Sequence, residues 1–457
     1  MKSVDHLILG TGQATGTLLG NLPFTETVAV IERGDVGGTC VNTGCTPTKT
    51  LVASARVAHL CRRAAEYGVT TGPVGINFPV AMKRMNDLRT GNRDSFTEWI
   101  ESLSHVTLFR GQGRFVSDHV VEVNGERIEA KHIYINVGTR SRIPKLDGLD
   151  EVPWLNHIRI LELTEVPTHL VVLGGSYVGL EFGQIFRRFG SDVTVLEAGD
   201  RILHREDVEF SQGVRSILEK ESIRFVTGAR PDRVAKTPQG VAVHLGDQVV
   251  EGSHLLVGIG RLPNTEDLGL EHTGIQTDDR GYIVVDDHCQ TTVPHVFAVG
   301  DVNRKGAFTH TAVNDAEIVL DTMRGGAHRT LSERIPTYAL FVDPALGRVG
   351  LTEQEAVDAG YHVTVATREM ATINRAREMS ETDGFVKLIV DDDTDRILGA
   401  AILGAGADEI VNMFTAFMVA GRPCKEYRTA MFIHPTIGEL MPFILDTLAP
   451  TKLSRSA

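Results

Sequence analysis

The chain has 457 residues, of which 42% are hydrophobic and 23% charged, and its formal net charge is −13. At roughly 150 residues per domain this length predicts two to four domains, and the acidic balance argues against nucleic acid as a partner. No apolar run approaches the roughly 18 to 20 residues that span a bilayer, so we expect no membrane association. The N-terminus, Met1–His6, leads directly into an apolar strand without a signal-peptide core. We therefore expect a cytoplasmic protein.

The first predicted element is an apolar strand that ends in a glycine-rich turn, within His6–Gly16, followed by a helix and a second strand, Val28–Glu32. The acid at the end of the second strand follows Gly10 by about twenty residues, where a carboxylate accepts hydrogen bonds from a ribose diol. Thr15 stands where a third glycine is expected, and its branched Cβ must fit where helix and strand pack closely. The pattern predicts a dinucleotide site.

Two cysteines follow this turn in the segment Gly37–Lys49, whose sequence is GGTCVNTGCTPTK. In a reducing compartment a close pair such as Cys40 and Cys45 is more often catalytic or metal-binding than structural. A helix predicted from Thr46 to about Ala65 places both sulfurs near its N-terminus, which favours a thiolate. We interpret the pair as a redox-active disulfide, with two buried apolar thiols as the alternative. The other cysteines are expected to be structural: Cys61, Cys289 and Cys424.

The segment from Glu101 to about Ile135 contains short alternating runs, which predict an antiparallel meander attached to the first dinucleotide domain. We expect the run Val106–Phe109 to be one of its strands. A second strand, glycine turn, helix and strand then repeat the opening architecture, from Leu170–Gly179 to Asp192–Glu197. Two dinucleotides are therefore predicted.

The remaining part of the chain contains two further glycine turns, followed by a region with a different residue pattern. Strands meet such turns at Leu255–Asn264 and Val296–Asp301. From Ile335 onwards, alternating strands precede apolar helices. This pattern predicts a third domain of the α+β class.

The ordered set of motifs resembles the class I pyridine nucleotide-disulfide oxidoreductases, which include glutathione reductase, dihydrolipoamide dehydrogenase and mercuric reductase. The resemblance runs nearly end to end and includes the segment His434–Glu439, HPTIGE. It implies an α/β fold with two Rossmann-like domains and a C-terminal α+β dimerisation domain. The implied boundaries are 1–150 and 266–334 for FAD binding, 151–265 for NAD(P) binding and 335–457 for homodimerisation.

The resemblance also implies roles for individual side chains. Cys45 is expected to face the flavin and Cys40 to exchange with substrate. Lys49 lies one helical turn beyond Cys45 and is expected to stabilise negative charge on the reduced ring. Glu181 is expected to pair with Lys49, and Tyr177 to gate the nicotinamide site.

His434 and Glu439 are expected to form the acid/base pair, because thiol–disulfide exchange needs a proton donor and acceptor that titrates near neutrality. In the family this pair comes from the other subunit, which implies an active site shared within a homodimer.

The resemblance places the FAD pyrophosphate on the turn Gly10–Gly16 and its adenosine ribose on Glu32. It places Asp301 at the ribityl or phosphate region. No metal site is predicted. The candidate cofactor-binding residues are Gly10, Gly12, Gln13, Ala14, Glu32, Gly38, Thr39, Lys49, Gly138, Thr139, Gly300, Asp301, Gly174, Ser176, Gly179, Glu197, Gly260 and Arg261.

The nicotinamide preference depends on Glu197, whose carboxylate suits a free ribose 2′-hydroxyl and would repel a 2′-phosphate. NADH is therefore favoured. Arg201 and Arg205 follow closely and keep NADPH open.

The expected function is transfer of electrons from NAD(P)H through FAD to the Cys40/Cys45 disulfide and on to a small-molecule or protein disulfide. One alternative is a mercuric reductase-like metal-ion reductase. Against it stand the His–Glu pair, the C-terminus Leu453–Ala457 without vicinal cysteines, and the lack of a metal-binding appendage before Met1. A dihydrolipoamide dehydrogenase, running in the oxidising direction, is a second alternative. A flavin-bound redox sensor and a flavin reductase with an incidental cysteine pair are further hypotheses.

Overall fold

The structure is a computed structural model that describes residues 1–326 and 329–456. It divides into two compact units. The first consists of Met1–Thr50, Val80–Pro144 and Ile259–Arg334, and the second of Leu51–Pro79, Lys145–Gly258 and Ile335–Ala457. In the part of the chain that is described, no helix is both long and apolar enough to cross a membrane.

In chain order, the strands are β1 (Lys2–Leu9), β2 (Val28–Glu32), β3 (Val106–Arg110), β4 (Arg114–Phe115), β5 (Val120–Val123), β6 (Glu126–Ile135), β7 (Thr139–Ser141), β8 (Trp154–Leu155), β9 (His169–Leu173), β10 (Asp192–Glu197), β11 (Arg224–Thr227), β12 (Arg233–Thr237), β13 (Gly240–Leu245), β14 (Gln248–Gly252), β15 (His254–Val257), β16 (Arg261–Pro263), β17 (Val296–Ala298), β18 (Thr337–Leu340), β19 (Leu346–Gly350), β20 (Val363–Glu369), β21 (Phe385–Asp391), β22 (Arg396–Leu403) and β23 (Ala449–Pro450). The α-helices are α1 (Ala14–Leu19), α2 (Gly38–Asn42), α3 (Cys45–Arg62), α4 (Phe78–Ser102), α5 (Tyr177–Phe189), α6 (Val208–Lys220), α7 (Thr309–Met323), α8 (Glu353–Asp358), α9 (Asn374–Glu378), α10 (Ala407–Val419), α11 (Cys424–Arg428) and α12 (Met441–Ile444).

The first unit is built on a mainly parallel sheet in the order β3-β2-β1-β6, with β17 parallel to the C-terminal part of β6. The N-terminal part of β6 instead pairs with β5, and β5 with β4, in antiparallel fashion. Alternate residues of β1 enter opposite cores, Leu7 and Leu9 on one face and Ile8 on the other. The sheet is therefore covered on both faces, as a doubly wound fold requires.

The expected antiparallel meander is correct for β4, β5 and β6 but wrong for Val106–Phe109. These residues lie in β3, which pairs in parallel with β2 at the edge of the main sheet. The chain between β2 and β3 passes through helices α2 to α4. Parallel neighbours need a long crossover of this kind. Alternation of apolar and polar residues along a short strand does not show whether the strand pairs with a parallel or with an antiparallel neighbour.

The second unit contains a parallel sheet in the order β11-β10-β9-β15-β8, with α5 connecting β9 to β10. A three-stranded antiparallel sheet, β12-β13-β14, is inserted in the chain between β11 and β15. The C-terminal part is an antiparallel sheet in the order β18-β19-β22-β21-β20-β23, which buries a face of α10 through Val411 and Phe414. The mixed α/β class with a C-terminal α+β region is confirmed.

Candidate active site

The first glycine turn is shaped by Asn136, which follows β6. Gly10 has φ +92°, and a Cβ there would collide with the Asn136 carbonyl oxygen. Thr15 fits although a glycine is usual there, because its hydroxyl donates to the Gly10 carbonyl oxygen at 3.0 Å and accepts from Asn136 Nδ2 at 2.9 Å. The buried polar atom is thus satisfied, and the turn keeps its shape. Gln13 and Ala14 begin helix α1 from this turn.

Glu32, at the end of β2, is oriented by backbone amides. Its Oε2 accepts hydrogen bonds from the Thr11 N–H at 2.8 Å and from the Thr11 hydroxyl at 2.6 Å, and its Oε1 accepts from the Gly34 N–H at 2.7 Å. An ionised carboxylate has about four lone-pair positions, so acceptor capacity remains for ribose hydroxyls.

Glu197, at the end of β10, repeats this arrangement in the second unit. Its Oε2 accepts from the Gly175 N–H at 2.7 Å and its Oε1 from the Gly199 N–H at 2.8 Å. Gly174 follows β9 with φ +107°, and a Cβ on Gly179 in α5 would collide with the Gly174 carbonyl oxygen. Ser176 directly precedes α5. The two turns therefore present equivalent carboxylates, each suited to a ribose diol.

The cysteine segment packs directly on the first glycine turn. Gly38 has φ +63°, and a Cβ there would lie 2.9 Å from the Gly12 Cα. The Gln13 side-chain amide donates to the Gly37 carbonyl oxygen at 3.1 Å, and the Gly37 N–H donates to the Thr11 hydroxyl at 3.0 Å. The cysteine-bearing helix α2 is thereby fixed beside the dinucleotide turn.

Four candidate cofactor residues that are distant in sequence meet in the first unit. Arg261 donates from Nε to the Thr139 hydroxyl at 2.6 Å and from Nη2 to the Thr139 carbonyl oxygen at 2.7 Å. The Thr139 hydroxyl donates to Asp301 Oδ2 at 2.7 Å, and Arg261 Nη2 lies 3.5 Å from the Thr39 hydroxyl. At Gly138 and Gly260, both at positive φ, a Cβ would meet no atom within 4 Å, so the backbone there is open to a close ligand.

The two sulfurs of the pair are electrostatically unequal. Cys45 is the first residue of α3, and its Sγ lies 3.5 Å from the Thr309 hydroxyl. The hydrogen bond with Cys40 lowers the pKa of Cys45 to about 6, with Thr309 and Lys49 acting in the same direction. The same hydrogen bond is the main cause that raises the pKa of Cys40 well above its usual range. The arrangement therefore favours the thiolate form at Cys45 and the thiol form at Cys40.

Asp315 in α7 supports the turn that carries Asp301, and no sequence pattern predicted it. Its side chain is 1% exposed, and its Oδ2 accepts from the Gly300 N–H and from Asn303 Nδ2, each at 2.8 Å. Arg334 forms an ion pair with the other carboxylate oxygen. No local pattern marks such a residue, because its partners lie elsewhere in the chain.

In the second unit, Tyr177 at the start of α5 belongs to a buried network. The hydroxyls of Tyr177 and Tyr338 donate to Glu206 Oε1 at 3.2 and 2.9 Å. Arg348 donates to Glu206 Oε2 at 2.7 Å. Burial raises the pKa of Tyr177 above its usual range, so the phenol stays a neutral donor. Glu206, Tyr338 and Arg348 were not predicted from the sequence.

The remaining predicted catalytic residues lie in the second unit, whereas Lys49, like the cysteines, lies in the first. Glu181 is buried in α5 and accepts from the Phe341 N–H at 2.9 Å. His434 Nδ1 lies 3.0 and 2.9 Å from the two carboxylate oxygens of Glu439, and the His434 side chain is 73% exposed. The contact with Glu439 fixes the ring on its Nδ1 side.

The chain has two dinucleotide turns, each with a carboxylate suited to a ribose diol, and a pair of unequal thiols is packed on the first turn. These features define a dinucleotide-dependent oxidoreductase of the disulfide type. The family model described as pyridine nucleotide-disulphide oxidoreductase matches residues 4–316, and the model for the dimerisation domain of the same family matches residues 335–442. The chain belongs to this family. It is an FAD-dependent enzyme that uses NAD(P)H as electron donor.

Relatives match over nearly the whole chain. The probable pyridine nucleotide-disulfide oxidoreductase RclA of Escherichia coli (strain K12) is 34% identical over 449 residues, 96% of this chain and 98% of RclA. Mercuric reductase of Bacillus cereus is 33% identical over 441 residues, 95% of this chain and 70% of that protein. The Cu(II) complex of the HOCl-induced flavoprotein disulfide reductase RclA from Escherichia coli superposes with a TM-score of 0.90 at 32% identity, covering 98% and 99% of the two chains.

Proposed function

We propose that this enzyme reduces a small-molecule or protein disulfide in the cytoplasm, with Cys40 as the sulfur that exchanges with substrate and Cys45 as the electron-accepting sulfur. We also propose the three-domain division: FAD binding by 1–150 and 266–334, NAD(P) binding by 151–265, and dimerisation by 335–457. The fixed position of the two cysteines beside the first dinucleotide turn carries the proposal, and the opposite directions of their pKa shifts support it, because an exchange relay needs two sulfurs with different tasks.

The exchange proceeds in two displacements on the reduced pair. Cys40 loses its proton to His434 and attacks one sulfur of the substrate disulfide, forming a mixed disulfide and releasing the first substrate thiolate. The Cys45 thiolate then attacks the Cys40 sulfur, which restores the Cys40–Cys45 disulfide and releases the second thiolate. The substrate gains two electrons and the enzyme pair loses two. Each released thiolate takes up a proton, one of them from His434.

The raised pKa of Cys40 explains why a base is needed. A thiol that remains protonated at neutral pH is a weak nucleophile until a neighbouring group removes its proton. His434 suits this role because Glu439 holds Nδ1 while the His434 side chain stays largely exposed. Met431 and Ile433, which lie just before His434, are 97% and 80% exposed, and apolar exposure of this size favours an interface. We assign His434 and Glu439 to the active site of the second subunit of a homodimer.

When bound, FAD supplies the two-electron chemistry that links NAD(P)H oxidation to reduction of a disulfide. The turn Gly10–Gly16 and Glu32 would hold its pyrophosphate and adenosine ribose, and Asp301 its ribityl or phosphate region. Lys49 would stabilise negative charge on the reduced ring. Tyr177 would cover the nicotinamide site until the nucleotide binds.

NADH is the proposed donor. The Glu197 carboxylate would repel a 2′-phosphate. Arg201 Nη2 donates to the His204 carbonyl oxygen at 2.9 Å, so this guanidinium is engaged within its own loop. Arg205 is exposed, and it is the side chain that would have to pair with the 2′-phosphate of NADPH.

Reduction of a metal ion is the second candidate function. Its support is the similarity to a protein named mercuric reductase and to a structure of RclA described as a Cu(II) complex. A thiolate–thiol pair is also a good ligand for soft metal ions.

Anaerobic titration of the FAD-loaded enzyme with NADH, and separately with NADPH, tests the proposal. We expect a long-wavelength absorbance band from a thiolate beside the flavin, followed by turnover with one member of a panel of disulfides, Hg(II) and Cu(II). Cys40→Ser abolishes disulfide-dependent NADH oxidation, whereas Cys61→Ser, the matched control, retains it. Survival of this activity in Cys40→Ser would overturn the proposal. Turnover with the metal ions alone favours the second candidate.

A further inference from the structure

Three potential metal ligands meet beside β6 in the sheet of the first unit, outside the cofactor turns. Asp118 and His119 precede β5, and His295 precedes β17. One ring nitrogen of each histidine and one carboxylate oxygen of Asp118 lie within 4.8 Å of one another. The two imidazole rings stack with centroids 3.6 Å apart and planes inclined by 2°.

Hydrogen bonds to backbone carbonyls fix both tautomers. His119 Nδ1 lies 3.0 Å from the Ala130 carbonyl oxygen, and His295 Nε2 lies 2.9 Å from the Asp118 carbonyl oxygen. A carbonyl only accepts, so these two nitrogens carry the protons, and the lone pairs are on His119 Nε2 and His295 Nδ1. Metal-binding histidines commonly donate their other N–H to a carbonyl in this way.

The backbone of each histidine is anchored to the same strand, β6. The Ala130 N–H donates to the His119 carbonyl oxygen at 2.9 Å, and the Ile133 N–H donates to the His295 carbonyl oxygen at 3.0 Å. Two segments that are far apart in sequence are thus held in fixed register. A site preorganised by its scaffold loses less entropy when an ion binds.

The lone pairs of this cluster are not used elsewhere in the described structure. Within residues 1–326 and 329–456, no hydrogen bond or ion pair occupies the Asp118 carboxylate, His119 Nε2 or His295 Nδ1. A second trio in the described residues, Asp207, Glu209 and Glu353, differs because the buried ammonium of Lys387 forms ion pairs with all three carboxylates. In this second trio, the Lys387 ammonium already supplies the positive charge that a metal ion would bring.

We propose that Asp118, His119 and His295 bind a divalent transition-metal ion of the Zn²⁺ or Cu²⁺ type. Imidazole nitrogens with a carboxylate suit these ions, and three protein ligands leave a position for water. Two ligands of one such ion lie roughly 3.3 Å apart at bond lengths of about 2.1 Å. Since the in-plane lone pairs of stacked rings lie in parallel planes, binding requires the His119 ring to rotate out of the stack, and the exposure of this ring allows the rotation and gives the ion a path from solvent. The ion clamps the turn before β5 to the loop before β17.

The test uses the FAD-loaded protein carrying Cys40→Ser and Cys45→Ser, which removes the thiols that would bind the same ions. Zn²⁺ binding is measured by calorimetry, and Cu²⁺ binding by electron paramagnetic resonance. We expect one Zn²⁺ per chain and nitrogen hyperfine coupling from two imidazoles. Adding His119→Ala weakens Zn²⁺ binding at least about tenfold and leaves one coupled nitrogen. Adding Asp118→Asn, which is nearly isosteric, also weakens Zn²⁺ binding. His272→Ala, at an exposed histidine of the same unit, does not.

The proposal is overturned by the absence of saturable Zn²⁺ binding, or by equal affinity in the parent and His119→Ala proteins. Thermal unfolding of the parent should shift upward with Zn²⁺, and this shift should disappear in His119→Ala. His119→Ala in the otherwise natural chain should retain flavin and disulfide reduction. This measurement separates the metal site from the proposed catalytic function.

Discussion

Tyr177 donates its hydroxyl proton to Glu206, whose Oε1 lies 3.2 Å from the phenol oxygen. The residue proposed to cover the nicotinamide site is therefore tethered to a buried carboxylate. Arg348 holds the other oxygen of this carboxylate at 2.7 Å and also contacts Asp207 Oδ2 at 2.5 Å. Because β19 carries Arg348, the C-terminal sheet takes part in positioning the candidate gate.

Arg348→Met should strongly destabilise the fold. The Arg348 side chain is 1% exposed, and its removal leaves Glu206 and Asp207 buried with less compensating positive charge. Loss of one partner from a buried ion pair costs about 3–5 kcal/mol. Arg215→Met, which breaks an exposed pair with Glu219 on α6, should cost about 1 kcal/mol or less. Urea denaturation followed by circular dichroism compares the two variants. Equal midpoints would show that the buried network does not stabilise the protein.

The Cys45 thiolate should titrate with a midpoint near pH 6 in the reduced enzyme. Since this pKa lies below the ordinary thiol value, the long-wavelength band is present above about pH 6 and is lost as the pH falls through it. Cys40→Ala removes the hydrogen bond that lowers this pKa most, so the midpoint should move upward. Lys49→Met should move it in the same direction by a smaller amount.

Cys40→Ser is the matched control for that titration, because its hydroxyl still donates to Cys45. Its midpoint should stay closer to that of the natural enzyme than the midpoint of Cys40→Ala does. Anaerobic absorbance spectra recorded between pH 5 and pH 9 give the midpoints. If Cys40→Ala and the natural enzyme titrate together, the Cys40 hydrogen bond does not set the pKa.

The sequence predicted the parts of the site that depend on local spacing. The glycine turns, the acids at the ends of β2 and β10, and the two cysteines all lie within short segments whose order reflects one supersecondary unit. Glu206 and Arg348 are 142 residues apart, and their contact depends on tertiary packing rather than on periodicity. Thr15 shows the converse case. The glycine pattern marked Thr15 as a departure, because a third glycine is expected there. Asn136, which is distant in sequence, supplies the hydrogen bond that accommodates the Thr15 hydroxyl.

Asp315→Ala should weaken FAD binding. Asp315 holds the Gly300 N–H and Asn303, which shape the turn bearing Asp301, and it pairs with Arg334. Loss of these buried hydrogen bonds should weaken FAD binding roughly tenfold. Glu317→Gln is the control, since it removes a more exposed ion pair with Arg329 from the same helix, α7. Flavin fluorescence during titration of the apoprotein gives both affinities, and unchanged FAD affinity in Asp315→Ala would contradict the supporting role.

Glu197→Gln should shift the nucleotide preference towards NADPH. The amide keeps an oxygen that accepts from the Gly175 N–H, loses the bond from the Gly199 N–H, and removes the charge that repels a 2′-phosphate. The ratio of kcat/KM for NADPH to kcat/KM for NADH should rise roughly tenfold. Glu251→Gln, on the exposed part of β14, is a control that should leave the ratio unchanged. A constant ratio in Glu197→Gln would indicate that Arg205 or the backbone sets the preference.

His434→Gln should slow disulfide reduction by about 10²–10⁴-fold, the usual contribution of a general acid/base. Glu439→Gln should have a smaller effect in the same direction, because the ring loses the carboxylate 2.9 Å from Nδ1 but keeps Nε2. Reduction of each variant by NADH, followed by stopped flow, should keep the natural rate. Neither side chain is assigned to this first half-reaction, in which NADH reduces the enzyme before the substrate disulfide reacts. Mixing inactive Cys40→Ser protein with His434→Gln protein then tests whether the site is shared. After subunit exchange, a mixed dimer has one site with both defects and one complete site, so activity should reappear. Continued inactivity of a verified mixed dimer would place both residues in one subunit's site.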